Sequence, residues 1–181
     1  MTKTMHKSAT ERLKAAIRDI PDFPTPGIGF KDITPLIQDG QLFRLAVTLL
    51  TERYQRRTID SVAAIDARGF LFASAVAYCL GVGIVMIRKK GKLPYKTVSK
   101  TYDLEYGKNS CLEVHEDAIE KGQKIVIIDD VLATGGTTGA AIDLIQQLGG
   151  EVLEASFLIE LDFLKGREKL NSTPAFSLVH Y

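Results

Sequence analysis

Lys124 to Gly139, KIVIIDDVLATGGTTG, decides the fold: a short β-branched run, two aspartates, then a loop of small and hydroxyl residues. Lys124 to Ile128 suits a strand buried on both faces of a parallel sheet, and such strands present their ligands at the carboxyl end. Asp129 and Asp130 fall there. Behind them Ala133, Thr134, Gly135, Gly136, Thr137 and Thr138 can curl around an anion, because glycine reaches positive φ and lets backbone N–H groups converge on phosphate oxygens. Thr137 to Leu148 places Ala141, Leu144, Ile145 and Leu148 on one helical face and ends at Gly149, so a phosphate in the loop would meet a helix N-terminus. A plain βα connection has the same outline. Two adjacent acids ahead of a phosphate nest can, however, accept hydrogen bonds from both vicinal hydroxyls of a ribose, which a structural turn does not need. No Gly-Lys-Ser/Thr follows, so this is not a P-loop, and the Gly-x-Gly-x-x-Gly of dinucleotide folds is absent.

Outward from this stretch, strands alternate with helices. Strand Ser61 to Ile65 leads to helix Phe70 to Leu80, stopped by Gly81, and then to strand Gly83 to Ile87; the helix after Thr137 leads to strand Val152 to Leu161. Such a βαβ succession predicts a parallel sheet in an α/β fold. Ser8-Ala9-Thr10-Glu11 has the form of a capping box, and Leu13, Ala16, Ile17 and Ile20 follow at helical spacing up to Pro21. After an irregular Pro- and Gly-rich segment, Asp39-Gly40 opens a second helix carrying Leu42, Ala46, Leu49, Leu50 and Arg53. Between Arg88 and Gly122 the alternation gives way to a long polar insertion with two strands, Thr97 to Glu105 and Asn109 to His115. Insertions of that length are functional lids or plain hairpins.

The 181 residues predict one compact domain, 1–181, without repeats or linkers. With 23 basic and 22 acidic residues the formal net charge is +1, so no overall field favours nucleic acid or an anionic membrane. Anion binding must be local, and the concentrated basic stretch is Arg88, Lys89, Lys90 and Lys92, which alone reads as a solvated face but beside the phosphate loop elsewhere in the chain reads as an anion clamp. Cys79 and Cys111 have no metal or redox spacing and read as reduced packing residues. MTKTMHKSATERL lacks an apolar targeting core, and no apolar run approaches the roughly 20 residues that span a bilayer, so a cytoplasmic protein is expected.

IVIIDDVLATGGTT resembles the 5-phosphoribosyl 1-diphosphate (PRPP) motif of the type I phosphoribosyltransferases, and its Leu-Ala-Thr-Gly-Gly-Thr form is similar to the adenine-specific branch. DFPTPGIGFKDITP, Asp22 to Pro35, resembles that family's base-binding hood; IDARGF, Ile65 to Phe70, its diphosphate loop; IRKKGKLP, Ile87 to Pro94, its basic segment; and YDLEYGK, Tyr102 to Lys108, its catalytic flap. The resemblance runs in family order from about residue 8 to the C-terminus. It implies a central, mostly parallel sheet flanked by helices, an N-terminal hood at about 8–35 and a flexible β-hairpin flap at about 88–122.

The reaction so implied is purine salvage: adenine plus PRPP gives AMP and diphosphate, by displacement at C1′ with oxocarbenium character. Ala133 to Thr138 would hold the 5′-phosphate and Asp129 and Asp130 the ribose hydroxyls. Asp66, Ala67 and Arg68, with Arg88, Lys89 and Lys92, would take the diphosphate. Mg²⁺ would arrive on PRPP, with no protein side chain ligating it directly, and the Asp66–Ala67 peptide is expected to be cis. Phe30 would offer adenine an aromatic face while backbone groups of Gly29 and Lys31 read its edge; a backbone carbonyl accepts from a 6-amino group but not from a 6-oxo group. Phe30 fits a plain core position as well. Many family members have Arg where this chain has Lys31, so side-chain contacts of that Arg do not carry over. Ala133 stands where enzymes for 6-oxopurines carry an acid, which leaves Glu105, otherwise an ordinary surface residue of a hairpin, to manage the purine N7 proton. A homodimer is implied. The alternatives are a transferase for another purine base and a non-catalytic regulator that senses PRPP; neutral charge, Ala133 and Glu105 weigh against them.

Overall fold

The computed structural model describes residues 2–104 and 107–181, with side chains described over 9–102 and 110–181. The chain divides into two compact units, residues 1–49 and residues 50–181. The first holds α1 (Thr2–Ala15), β1 (Arg18–Ile20), β2 (Phe30–Asp32), α2 (Thr34–Gln38) and most of α3 (Gly40–Glu52). Two of its features differ from expectation. The capping box lies inside α1, because nothing in residues 2–7 breaks a helix and the turn simply continues backwards. At the other end α1 stops at Ala15 with tight bonds from Ala16 N–H to Leu13 and from Ile17 N–H to Lys14. Ile20 then leaves the helical register to pair antiparallel with Phe30. α3 begins where expected, capped by Asp39, whose Oδ1 accepts from the N–H groups of Gln41 and Leu42 at 2.8 and 3.1 Å.

The second unit is built on β3 (Ser61–Ile65), α4 (Gly69–Leu80), β4 (Gly83–Lys89), β5 (Thr97–Leu104), β6 (Gly107–His115), β7 (Lys124–Leu132), α5 (Gly136–Gln147), β8 (Glu151–Glu160) and β9 (Ala175–His180). These form one seven-stranded sheet in the order β5-β6-β4-β3-β7-β8-β9. β4, β3, β7, β8 and β9 are parallel; the β5–β6 hairpin adds antiparallel to the edge through Arg88↔Glu113 and Lys89↔Leu112. This is the mostly parallel α/β sheet that the sequence predicts. β9 and the two 3-10 turns before it, Asp162–Leu164 and Gly166–Lys169, are additions to that prediction.

The β3-α4-β4 unit steps one way along the sheet and β7-α5-β8 the other, so the winding reverses between β3 and β7. In open α/β sheets the ligand crevice lies outside the strand ends at such a reversal. Burial supports the layering. Val62, Ala63, Ala64 and Ile125 to Ile128 are wholly excluded from solvent, as strands covered on both faces require. Val85 and Ile87 share a cluster with Ala141, Leu144 and Ile145 of α5, so by alternation Ile84 and Met86 face the opposite side, where α4 packs on β3, β7 and β4.

Candidate active site

β7 outruns its neighbour. Its pairing with β3 ends at Ala64↔Ile128, whereas pairing with β8 continues through Asp129↔Phe157 to Leu132↔Glu160. Asp129 and Asp130 therefore lie within the strand, not after it, at the point where one edge has lost its partner and a crevice opens. A cavity of about 500 Å³ lies there. It brings together Asp66, Ala67 and Arg68 from the turn after β3, Lys89 from β4, Asp129 and Asp130 from β7, and Ala133, Thr134, Gly135, Gly136, Thr137 and Thr138 from the loop that opens α5. Ile65 and Val131 complete the wall, and strand burial would have flagged both as core rather than lining.

Gly135 is the N-cap of α5 at φ 78°, a conformation other residues rarely hold, and Gly139 N–H returns to its carbonyl at 2.8 Å. The loop thus delivers the unpaired N–H groups of the first turn of a 12-residue helix to the cavity. On the other wall the Asp66–Ala67 peptide is cis, as expected.

The charges around the cavity are already organised. Arg68 Nε donates to Asp130 Oδ2 at 2.6 Å, tying the turn after β3 to the strand-end acids. Asp66 receives Lys92 Nζ at 3.1 Å and Arg88 Nε at 3.3 Å. Burial works against its charge, but the hydrogen bond and charge of Lys92, helped by Arg88, hold its carboxyl below the ordinary range. Asp129 goes the other way: burial and the neighbouring Asp130 carboxylate push its carboxyl well above the ordinary range, although its Oδ1 accepts the Asp130 N–H at 2.8 Å. A side chain at position 69 is excluded by the same group, since a Cβ on Gly69 would lie 2.5 Å from Asp129 Oδ1. Gly69 lies in the IDARGF stretch read from sequence as the diphosphate loop; its close approach to Asp129 is what the sequence did not signal.

The hairpin reaches the same region. Thr137 Oγ1 lies 3.4 Å from the Tyr102 hydroxyl, and Lys100 Nζ lies 2.7 Å from Asp143 Oδ2 of α5. Neither pair was anticipated, because nothing in the spacing says that β5 crosses α5. Glu105 lies outside the described residues. Gly29, Phe30 and Lys31 belong to the first unit: Gly29 is exposed, Phe30 sits edge-on to Phe23 at 5.1 Å, and the Lys31 ammonium pairs with the Asp19 carboxylate. Cys79 is exposed on α4, so it is not the packing residue expected, and Cys111 is half-buried.

A family model described as phosphoribosyl transferase domain matches residues 36–175. An adenine phosphoribosyltransferase from Methylacidiphilum infernorum is 56% identical over 174 residues, covering 96% of this chain and 97% of its own length. The crystal structure of adenine phosphoribosyltransferase from Thermoanaerobacter pseudethanolicus is similar with a TM-score of 0.91 at 49% identity, over 95% of this chain and 99% of that one. The enzyme of that name from Saccharomyces cerevisiae, complexed with D-2,5-dideoxy-2,5-imino-altritol 1,6-bisphosphate and adenine, has a TM-score of 0.88 at 41% identity, over 95% of this chain and 99% of that one.

Proposed function

The chain belongs to the phosphoribosyltransferase family, and from that premise we infer the reaction: it transfers the 5-phosphoribosyl group of PRPP to adenine, releasing AMP and diphosphate, in purine salvage. The observation that carries the reading at this site is one cavity, at the reversal of the sheet, that combines a helix-capping anion loop with two strand-end carboxylates.

In the displacement, N9 of adenine forms a bond to C1′ as the bond from C1′ to the diphosphate oxygen breaks, and the purine gives up one ring proton. Backbone N–H groups of Ala133 to Thr138 hold the 5′-phosphate at the start of α5, and Asp129 and Asp130 accept from the two ribose hydroxyls. Holding both ends of the ribose phosphate fixes C1′ in line between base and leaving group, which removes much of the entropic barrier. Asp66, Ala67, Arg68, Arg88, Lys89 and Lys92 attend the departing diphosphate. The carboxylates beside a basic wall suit a hydrated divalent cation, and Mg²⁺ brought on PRPP would offset charge on the leaving group. Glu105 accepts the purine N7 proton, and Gly29, Phe30 and Lys31 receive the base.

The active species is a homodimer. Support comes from α4 and β4, where Leu71, Tyr78, Ile84 and Met86 share a sheet face and are 44%, 88%, 39% and 47% exposed. Such a patch marks an association surface more often than a solvated one. Among the described residues no helix is long and apolar enough to cross a membrane, and we assign the protein to the cytoplasm.

The deciding assay offers PRPP with adenine, guanine, hypoxanthine and xanthine in turn, with Mg²⁺ and with EDTA, and follows diphosphate release. Release with adenine alone, abolished by EDTA, is the expected result. Turnover of another purine would move the specificity, and PRPP binding without turnover would leave a sensor.

A further inference from the structure

We propose that the segment between β8 and β9, residues 161–170, is a back wall that fixes the curvature of the phosphate loop, with Gly166 and Arg167 as its positioning residues. The proposal rests on the phosphate-loop reading given above. Three backbone approaches carry it. A Cβ on Gly166 would run into the carbonyl oxygen of Ala133 and lie 2.9 Å from Leu132 Cδ1. A Cβ on Gly135 would run into the carbonyl of Gly166, and one on Gly139 would lie 2.6 Å from the carbonyl oxygen of Lys169. Main chain therefore lies against main chain at points spread along the loop and the first turn of α5. The positive φ of Gly135 already requires glycine, but Gly139 and Gly166 have no such φ. At these two positions it is space, not backbone conformation, that excludes a side chain.

The consequence for the ligand follows from peptide geometry. The carbonyl of Ala133 and the N–H of Thr134 share one plane and point in opposite directions. A wall pressed on the carbonyl side sets the tilt of the N–H that turns away from it, and Thr134 lines the cavity. The wall is itself fastened. Arg167 donates from Nε and Nη2 to the two oxygens of Glu160 at 2.6 and 2.7 Å, and from Nη1 to the Ala175 carbonyl at 2.9 Å. Ser177 Oγ adds a bond to Glu160 at 2.6 Å. Glu160 ends β8 and stands in register with Leu132, the last residue of β7, so the grip anchors the wall to the strand pair from which the loop springs.

The test compares two ligands. AMP uses the 5′-phosphate loop, whereas magnesium diphosphate uses the opposite wall. In Gly166→Ala, AMP binding should weaken by about tenfold or more, as expected when a preorganised site is displaced by a fraction of an ångström, while magnesium diphosphate binding stays within about twofold of wild type. Arg167→Lys keeps the charge but loses the two-point grip, and should give the same split at about threefold; if Gly166→Ala does not fold, this variant carries the test. Equal losses for both ligands, or no loss for either, in the folded variants would overturn the wall. Wild-type protein that does not bind AMP would instead overturn the reading of the loop on which the wall depends.

Discussion

At the scale of the residue, Asp129 carries a conflict that a substitution can expose. Its carboxyl is buried beside Asp130 and pushed upward. A raised folded-state value means that its contribution to stability is fully present below the ordinary value of 3.8 and is lost as the pH rises through the raised one. Asp129→Asn keeps an oxygen for the Asp130 N–H and removes the charge. The ligand-free protein should melt higher at pH 7 than wild type, with the difference shrinking in acid. PRPP affinity should fall, because a charge-assisted bond to a ribose hydroxyl is worth about 1.5 to 3 kcal/mol. A lower melting temperature at pH 7 would mean that the charge is stabilised by contacts other than those described. Glu105 calls for the complementary experiment. Glu105→Gln keeps the side chain's shape and gives it a hydrogen-bonding amide without the basicity, so kcat should drop by roughly 10² to 10⁴ with PRPP binding nearly unchanged. Joint loss of binding and turnover would assign it to the flap's structure instead. Residue types at this site were legible because chemistry restricts them: acids for hydroxyls, glycine where N–H groups must converge. The parts played by Gly166 and Arg167, and the contact of Gly69 with Asp129, were not, since what they exclude or grip comes from segments distant in sequence.

Among the elements, the hairpin and α5 form a coupled pair. Tyr102 reaches Thr137 in the first turn of α5, and Lys100 reaches Asp143 two turns on. Both Lys100 and Asp143 are partly exposed, so their ion pair adds little stability; its effect is to seat β5 over the helix that begins at the phosphate loop. Filling that loop should then steady β5. Amide exchange across residues 97–102 should slow by about threefold or more with AMP bound, as local opening becomes costlier. Identical exchange with and without AMP would disconnect the hairpin from the loop. β3, β4 and α4 follow from short apolar runs, and the hairpin strands from two strand-like stretches inside the polar insertion between Arg88 and Gly122, signals local enough to read directly. Three features were not local. β7 extends to Leu132 because β8 continues to pair with it, and Ile20 is taken from α1 by pairing with Phe30. β9 exists through parallel pairing with β8 from Ala155↔Ala175 onward.

For the whole molecule, the open question is what covers α4. An amphipathic helix shows solvent a polar face, but α4, GFLFASAVAYCL, offers only small or apolar residues there. Leu71 and Tyr78 stand exposed on it, and Ile84 and Met86 of β4 are exposed as well. The hydrophobic gain of covering such side chains is about 25 cal/mol per Å² removed from water, offset by the entropy of association. A stable interface needs roughly 1,000 Å² or more of buried surface, which four side chains do not reach alone; the rest of α4 and its surroundings must take part. The expectation is therefore a dimer mass for active protein at micromolar concentration, read by sedimentation or light scattering. Tyr78→Glu places a charge on the most exposed of these apolar residues, and should shift the mass toward monomer while the β3–β7 crevice keeps its fold. A sharp monomer mass in active wild-type protein would mean that the face is tolerated in water and that each chain completes its site alone. Loss of activity in step with loss of the dimer, by contrast, would place the second copy close enough to α4 to hold the turn containing Arg68, which directly precedes that helix, in its ligand-ready position.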